Sequence, residues 1–428
     1  SAEHPPGTAP RATGRRMNEY GTPRPTSAPR SGGNHSLNQM AIEHTQNHDQ
    51  QTTIVLGIPV DRLDMDTAID RIFGFIEAYR QDRRPRLVAT ANVDFTVKTH
   101  GWFGTVRHPE LLRILREADM VTADGMPIVW YARLLGCQLP DRVTGADLVP
   151  TLSEAAANNG YSIYLLGGAP EVNEKARDHL EKQNPKLKIA GFDSPFVHVA
   201  GPPTSETEAE DIPICERINA AQPDILFIAF GNPKQELWFD RNRHRLNVPV
   251  TLGIGGSFNF LTGTVPRAPK WMQRLGLEWI HRLLSEPRRL LVRYLEGLTQ
   301  FSWMSFLPLA SGLFDRLRNN ATQSTPTETT AHTPGSDSGK ASEIRLGHFL
   351  DTTALQPADE ALKNLETQDG EGELILDFSN VRGVDGPGLG HLMRTLQRAR
   401  KINCPVSCMG VSPALARRLR WHRLADLL

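Results

Sequence analysis

Residues 224–236 read DILFIAFGNPKQE, an unbroken apolar run from Ile225 to Phe230 that stops at Gly231-Asn232-Pro233 and gives way to charged and polar residues. A run with no polar alternation suits a strand covered on both faces, as in a parallel sheet between helix layers, and the Gly-Asn-Pro stop marks the turn beyond it. Four other segments share this form. RLVAT ends at Thr90-Ala91-Asn92, DMVTA at Asp124-Gly125, YSIYLL at Gly167-Gly168 and VPVTLGI at Gly255-Gly256. Helix-period segments lie between them: Ala68, Ile69, Ile72, Phe73, Ile76 and Tyr79 recur at helical spacing behind Asp64 and Asp66, which can cap. Strands alternating with helices predict an α/β fold with an open, mostly parallel sheet, and ligands of such sheets sit beyond the carboxyl ends of the strands. The residues that end the five runs are therefore expected to line one crevice.

Composition sets the limits of this unit. At 428 residues the chain exceeds the roughly 100–200 of one domain. Residues 1–51 are rich in Pro, Gly, Ser, Thr, Asn and His, too poor in large aliphatics to bury a core, and are expected to form a disordered tail. The α/β unit is expected over 52–309, a polar Thr/Ser-rich flexible linker over 310–342, and a second, small domain over 343–428. Lys+Arg and Asp+Glu balance at 48 each, so no chain-wide basic field points to nucleic acid. No run reaches the roughly 18–20 apolar residues of a membrane-spanning helix. Cys137, Cys215, Cys404 and Cys408 are too scattered for a disulfide scaffold, and no short apolar stretch follows a basic start as in a secretory signal, so a reducing cytoplasm is expected. Cys404 and Cys408 are expected to fill a strand core.

Asp124 reads in two ways that can hold together: as N-cap of the helix MPIVWYARLLG, or as a carboxylate in the crevice able to take a proton from an attacking hydroxyl. Thr90 and Asn92 can be turn residues or its neighbours. Gly167-Gly168 before a helix allows a backbone to approach a ligand phosphate or simply makes a tight turn; the spacing G-x-G-x-x-G is absent. Lys234, Gln235 and Glu236 place a cation and an amide where an anionic or polyhydroxylated ligand could sit, or else form a polar surface loop. Asp64 and Asp66 have metal-ligand spacing, but their place at a helix start makes capping the expected use.

From Arg267 to Arg293 the chain carries seven Lys/Arg against two Glu, with Trp271, Leu275, Trp279 and Leu283 between them. A basic amphipathic helix suits an anionic membrane surface, and a solvated face of a packed helix pair is the alternative. Phe301, Trp303, Met304, Phe306 and Leu307 add apolar bulk able to dip into an interface.

The motifs ATANVDF, ADGMPIVW, DRVTGADL, YLLGGAPEV, PDILFIAFGNPKQE, LGIGGSFNFLTGTVPRAP and LEWIHRLLSEPRR occur in this order. With them the large unit resembles the WecG/TagA/CpsF glycosyltransferases along essentially its whole length. The resemblance implies a Rossmann-like domain and a metal-independent, inverting transfer of a sugar, of N-acetylmannosamine type or related, from a UDP-sugar to a polyprenyl-diphosphate-linked saccharide, with no cofactor. It implies Asp124 as base, Thr90, Asn92 and Arg142 beside it, and Gln235 in the active site. It also implies a C-terminal appendage in which Arg282, Arg288 and Arg293 lie near membrane and diphosphate. With Gly167, Gly168, Lys234, Glu236 and Asn259 these complete the candidate binding residues. Asn259 stands where many relatives have an acidic residue, and WFGTVRHP lengthens the stretch between Asn92 and Asp124. The expected place is the inner face of the cell membrane, attached peripherally.

The last domain resembles a STAS domain through ELILDFS, VRGVDGPGLG, LGHLMRTLQRARK, CPVSCMG and PALARRLRWHRLADLL. Phosphorylated relatives carry a serine in the turn after the Asp; here Asp385 is followed by Gly386, Pro387 and Gly388, which offer no hydroxyl. The domain is expected to dock constitutively through Arg394, Arg398, Arg400 and Lys401, read as exposed, against an acidic partner or a second copy. The alternative function is a non-catalytic signalling adaptor acting through this domain.

Overall fold

The computed structural model describes residues 52–103, 105–199, 201, 204–321, 330–332, 341–367 and 372–424. The expected tail, 1–51, lies outside them. The first described element is an antiparallel hairpin, β1 (Thr52–Val55) and β2 (Ile58–Asp61). Helix α1 (Met65–Asp82) opens on Asp64, whose carboxylate accepts from the Thr67 N–H while Thr67 Oγ1 accepts from the Asp64 N–H. This reciprocal box satisfies two groups that the first turn leaves open.

Six strands, β3 (Arg86–Ala91), β4 (Met120–Ala123), β5 (Ser162–Gly167), β6 (Lys188–Asp193), β7 (Ile225–Ala229) and β8 (Val250–Gly253), pair in the order β4-β3-β8-β7-β5-β6. Every pairing is parallel. The five apolar runs are five of these strands. The sixth, KIAGFD, is an edge strand whose residues are half-buried or exposed, so it carries no apolar run to recognise.

Side-chain alternation divides the sheet between two cores. Leu87, Ala89, Val121, Leu226 and Ile228 face one, with Trp238; Val88, Ile225, Phe227, Val250 and Leu252 face the other, with Ile72 and Leu148. The covering helices are α2 (Val93–Thr99), α3 (Pro109–Glu117), α4 (Met126–Leu134), α5 (Gly145–Asn159), α6 (Pro170–Gln183), α7 (Ser205–Ala221), α8 (Lys234–Asn242) and α9 (Ser257–Leu261). After them come α10 (Lys270–Arg274), α11 (Glu278–Ser285) and the long α12 (Pro287–Ala321).

The second α/β unit has β9 (Thr330–His332), β10 (Ala341–Arg345), β12 (Glu373–Asp377) and β14 (Val406–Met409) in the order β14-β12-β10-β9, with only β9 antiparallel. A short parallel pair, β11 (Phe349–Leu350) and β13 (Gly383–Val384), and helices α13 (Gln356–Thr367), α14 (Gly386–Lys401) and α15 (Pro413–Trp421) complete it. Ile344, Leu374, Leu376, Phe378, Leu392 and Leu419 form its core, with Cys404 inside and Cys408 packed against it. Of the segment 310–342 read as a linker, α12 runs on to Ala321 and β9 pairs with β10, while 322–329 and 333–340 lie outside the described residues.

The hairpin joins the two units. Ile54 belongs to the core of the second unit, and Val55, Ile58 and Val60 to that of the first. Against it lies α14, and here one expectation is corrected: Arg394 is buried rather than exposed. Its Nη2 donates to Asp61 Oδ1 and Oδ2 at 3.0 and 3.2 Å, and its Nη1 to the Ala118 carbonyl at 2.9 Å. Arg398 pairs with Glu366 at 2.6 Å within the second unit, and Lys401 lies 3.7 Å from Asp119.

Candidate active site

Parallel pairing brings the carboxyl ends of β3, β4, β5, β7 and β8 to one edge of the sheet. Asp124 follows directly on β4, and its N–H donates to the Ala91 carbonyl at 2.8 Å. The N-cap of α4 is Gly125, at φ 123°, with no side-chain cap. Asp124 therefore does not cap the helix, and Gly125 supplies a backbone turn that other residues adopt only under strain. Half-buried, the Asp124 carboxylate accepts a hydrogen bond from Asn92 and makes no salt bridge among the described residues. Burial pushes its pKa up to about 6; Arg282 and Arg142 pull it down, Asp147 raises it, and Asn92 lowers it. A carboxyl held there is a stronger base than an ordinary one and is still ionised at neutral pH.

Asn92 serves two purposes. It is the N-cap of α2, its Oδ1 accepting from Asp94 N–H at 3.0 Å, which leaves its amide to donate to Asp124. Thr90 is buried in the sheet, and its hydroxyl donates to the Gly253 carbonyl at 3.1 Å, tying β3 to β8 below the crevice.

Arg142 reaches Glu278 Oε2 at 2.8 Å. Arg267 completes a bridge by pairing with Glu278 at 3.0 Å and with Asp147 at 2.6 Å. Since Glu278 is the first residue of α11, this network fastens the appendage to the loop beyond α4. A glycine makes the same junction possible: a Cβ at Gly276, φ 72°, would fall 2.1 Å from Met126 Cγ at the start of α4. Arg282, on α11, stands with its guanidinium 4.9 Å from the Phe260 ring centroid. Arg293 pairs with Asp94 at 3.0 Å, and Arg288 is exposed on the first turn of α12.

On the other side of the crevice, Gly167 and Gly168 have φ 92° and 79°, and Ala169, the N-cap of α6, provides no side-chain cap. Pro170 has no N–H and the Val172 N–H donates to the Ala169 carbonyl at 3.0 Å, so the Glu171 N–H is what the first turn offers an anion. Gln235 and Glu236 are buried, not part of a surface loop. Gln235 Oε1 accepts from Gly255 N–H at 2.9 Å, and its Nε2 donates to Glu236 Oε1 at 2.7 Å. Burial pushes Glu236 up to about 7, against the Gln235 hydrogen bond. Lys234 is exposed, its ammonium 5.8 Å from the Phe196 ring centroid. Asn259 is half-buried on α9, its carbonyl accepting from Val265 N–H at 3.0 Å.

Asn232 Oδ1, Glu236 Oε2, Trp279 Nε1, His281 Nδ1 and Arg282 Nε are buried without a protein partner. Asp147, Glu278 and His281 escape the sequence reading as individual residues, although each sits inside one of the quoted motifs. A separate cleft of about 630 Å³, lined by Arg84, Arg113, Arg116, Met393, Arg400 and Lys401, contains none of these groups. Among the described residues no three His, Cys, Asp or Glu side chains are grouped to hold a metal ion.

The chain is similar to N-acetylglucosaminyldiphosphoundecaprenol N-acetyl-beta-D-mannosaminyltransferases. It is 28% identical to that of Bacillus spizizenii over 233 residues, which is 54% of this chain and 84% of the relative. For the Bacillus subtilis protein the figures are 28% over 240 residues, 56% and 86%, and for one from Staphylococcus aureus 28% over 236 residues, 55% and 85%. Residues 339–428 match the STAS domain, and residues 53–312 match the Glycosyl transferase WecG/TagA/CpsF family. With more than half its length matched, the chain belongs to the WecG/TagA/CpsF glycosyltransferase family and carries a STAS domain at its C-terminal end.

Proposed function

We propose that this glycosyltransferase moves a hexose, of N-acetylmannosamine type or related, from a UDP-sugar to a polyprenyl-diphosphate-linked saccharide, with inversion and without a metal ion. The observation that carries this reading is Asp124: a carboxylate raised to about 6 at the strand ends, with Arg282 and Arg142 near but not paired to it. An acceptor hydroxyl loses its proton to Asp124 as its oxygen bonds to the anomeric carbon. The bond from that carbon to the UDP oxygen breaks, and UDP leaves with the electron pair. Arg282, the Glu171 N–H at the start of α6 and the unpartnered donors of α11 are suited to meet the charge that UDP gathers. Glycosyl transfer to the relatives' lipid-linked acceptor, as their name describes it, fits this arrangement.

A lipid-linked acceptor calls for access to a membrane surface. No described helix is long and apolar enough to cross a membrane. The appendage does expose Trp271, Leu284, Val292, Trp303 and Phe306, alongside Arg288. Trp102 and Phe103 are also exposed, on a loop whose preceding residue, His100, accepts from Gln300 Nε2 of α12 at 2.6 Å. Exposed aromatics with neighbouring cations support peripheral attachment to an anionic inner leaflet. The test is a panel of UDP-sugars with and without a lipid-diphosphate-linked saccharide: acceptor-dependent UDP release is expected with at least one donor. Absence of such release from every UDP-sugar, in folded protein, contradicts the proposal.

A further inference from the structure

Asp124 sits at the junction of β4 and α4, and β4 is an edge strand of its sheet. On its open side the N–H of Val121 has no neighbouring strand to bond and donates instead to Asp61 Oδ2 at 2.7 Å. Asp61 is in turn held by Thr52 Oγ1 at 2.7 Å and by Arg394 of the STAS helix α14. Arg394 also bonds the Ala118 carbonyl, two residues before β4, and Lys401 approaches Asp119 at 3.7 Å. The same domain touches the far end of α4: Gly386 packs so that a Cβ would fall 2.8 Å from Thr53 Oγ1 and 3.7 Å from Leu135 Cβ. Gly390 lies closer still, where a Cβ would be 2.0 Å from the Thr52 carbonyl oxygen. Arg116, at the end of α3, links both sides by donating to the carbonyls of Gly57 at 3.1 Å and Arg423 at 2.6 Å.

We infer that the STAS domain is a built-in partner of the transferase domain, and that Arg394 is a positioning residue that fixes the β4–α4 unit carrying Asp124. The first turn of α14 packs on its own chain, Gly386 against Thr53 of β1 and Leu135, and Gly388 against Leu350 and Asp351. That surface is committed to its own chain and not to a separate protein. The partner it fits is a hairpin with an acidic side chain, and Asp61 supplies it. Because Arg394 reaches Asp124 only through Asp61, Ala118 and the strand, its effect is on the geometry of proton transfer rather than on substrate contact. This inference rests on the reading of Asp124 as base.

The experiment uses the full chain with Arg394→Met, Arg394→Lys and Gly390→Leu, compared by amide hydrogen exchange and by steady-state kinetics with the productive UDP-sugar and acceptor. Exchange in residues 118–135 is expected to rise in Arg394→Met and Gly390→Leu. kcat is expected to fall about tenfold or more while the donor KM changes little, as misplacement by about 1 Å can cost 10²-fold. Arg394→Lys is expected to recover part of both. The inference is overturned if exchange in 118–135 is unchanged in the Met and Leu variants. It is also overturned if exchange rises yet kcat and its pH profile stay those of the wild type. Should Arg394→Met not fold, Arg394→Lys and Gly390→Leu decide by the same readouts. Asp124→Asn is run alongside: wild-type turnover there removes the assignment of the base, and the exchange data still report separately on the domain contact.

Discussion

Near the start of β4, Asp61 accepts from the Val121 N–H; directly after the end of the same strand stands Asp124. Both are withdrawn from bulk water, and they titrate in opposite directions. For Asp61, burial alone would raise the carboxyl, but Arg394, Arg71, the Val121 N–H and Thr52 hold it below its ordinary value of 3.8. For Asp124, burial wins: Arg282 and Arg142 act from a distance, Arg142 being engaged with Glu278, and the carboxyl rises to about 6. The difference lies in direct pairing. A fully compensated buried carboxylate is a structural tie, and an under-compensated one at a strand end is a base waiting for a proton.

The largest effect that would sharpen this contrast is expected from Asp124→Asn. Loss of a general base costs about 10²–10⁴-fold in rate, and the amide keeps the shape, so fold and donor binding should persist in circular dichroism and donor titration. Asp61→Ala is expected to behave in the reverse sense, as a stability variant. It leaves Arg394 buried and unpaired, which typically costs about 3–5 kcal/mol, measurable by urea denaturation. Wild-type stability in that variant would break the comparison.

A smaller effect is expected from Glu236, which burial raises from 4.5 to about 7. Between those values the folded chain keeps a proton that the unfolded chain has lost, so stability falls as pH rises from about 4.5 to 7. Glu236→Gln should remove its share of that slope, most visibly between about 6 and 7, and leave the share of Asp124 between 3.8 and about 6. The lowered carboxyls of Asp61 and Asp119 have the opposite sign: their stabilisation is present above about 3.8 and is lost as pH falls through their folded values. Denaturation across pH 3 to 8, in wild type and Glu236→Gln, checks both signs. The least change in chemistry is expected from Trp303→Ser with Phe306→Ser, which should leave turnover on a soluble acceptor analogue intact and reduce pelleting with anionic vesicles. Equal pelleting would mean that the exposed side chains of α12 do not meet the bilayer.

Much of the sheet was legible because five of its six strands are apolar runs ending in turn residues, and that form reports burial on both faces. The edge strand β6 was not, since a half-exposed strand has no such run. Asp124 could be named from its place after a strand, but its choice between cap and base depended on Gly125 taking the N-cap position. Gln235 and Glu236 follow a turn in sequence and read either as ligand contacts or as a polar surface loop; a Cβ at Gly253 would fall 2.6 Å from Gln235 Nε2 and 2.7 Å from Glu236 Oε1, so both fill space against β8. Arg394 misled for a related reason. Its helix has a regular basic face, and nothing in a local pattern says that a hairpin more than three hundred residues earlier supplies an aspartate to meet it.

The most direct test of the central claim is the pH dependence of kcat/KM for acceptor-dependent UDP release. Asp124 must be ionised to accept a proton, so the rate should climb with pH through a limb near 6, and Asp124→Asn should lose that limb together with most of the rate. A wild-type limb near 4, or the same limb and rate in Asp124→Asn, would contradict the assignment of Asp124 as the base.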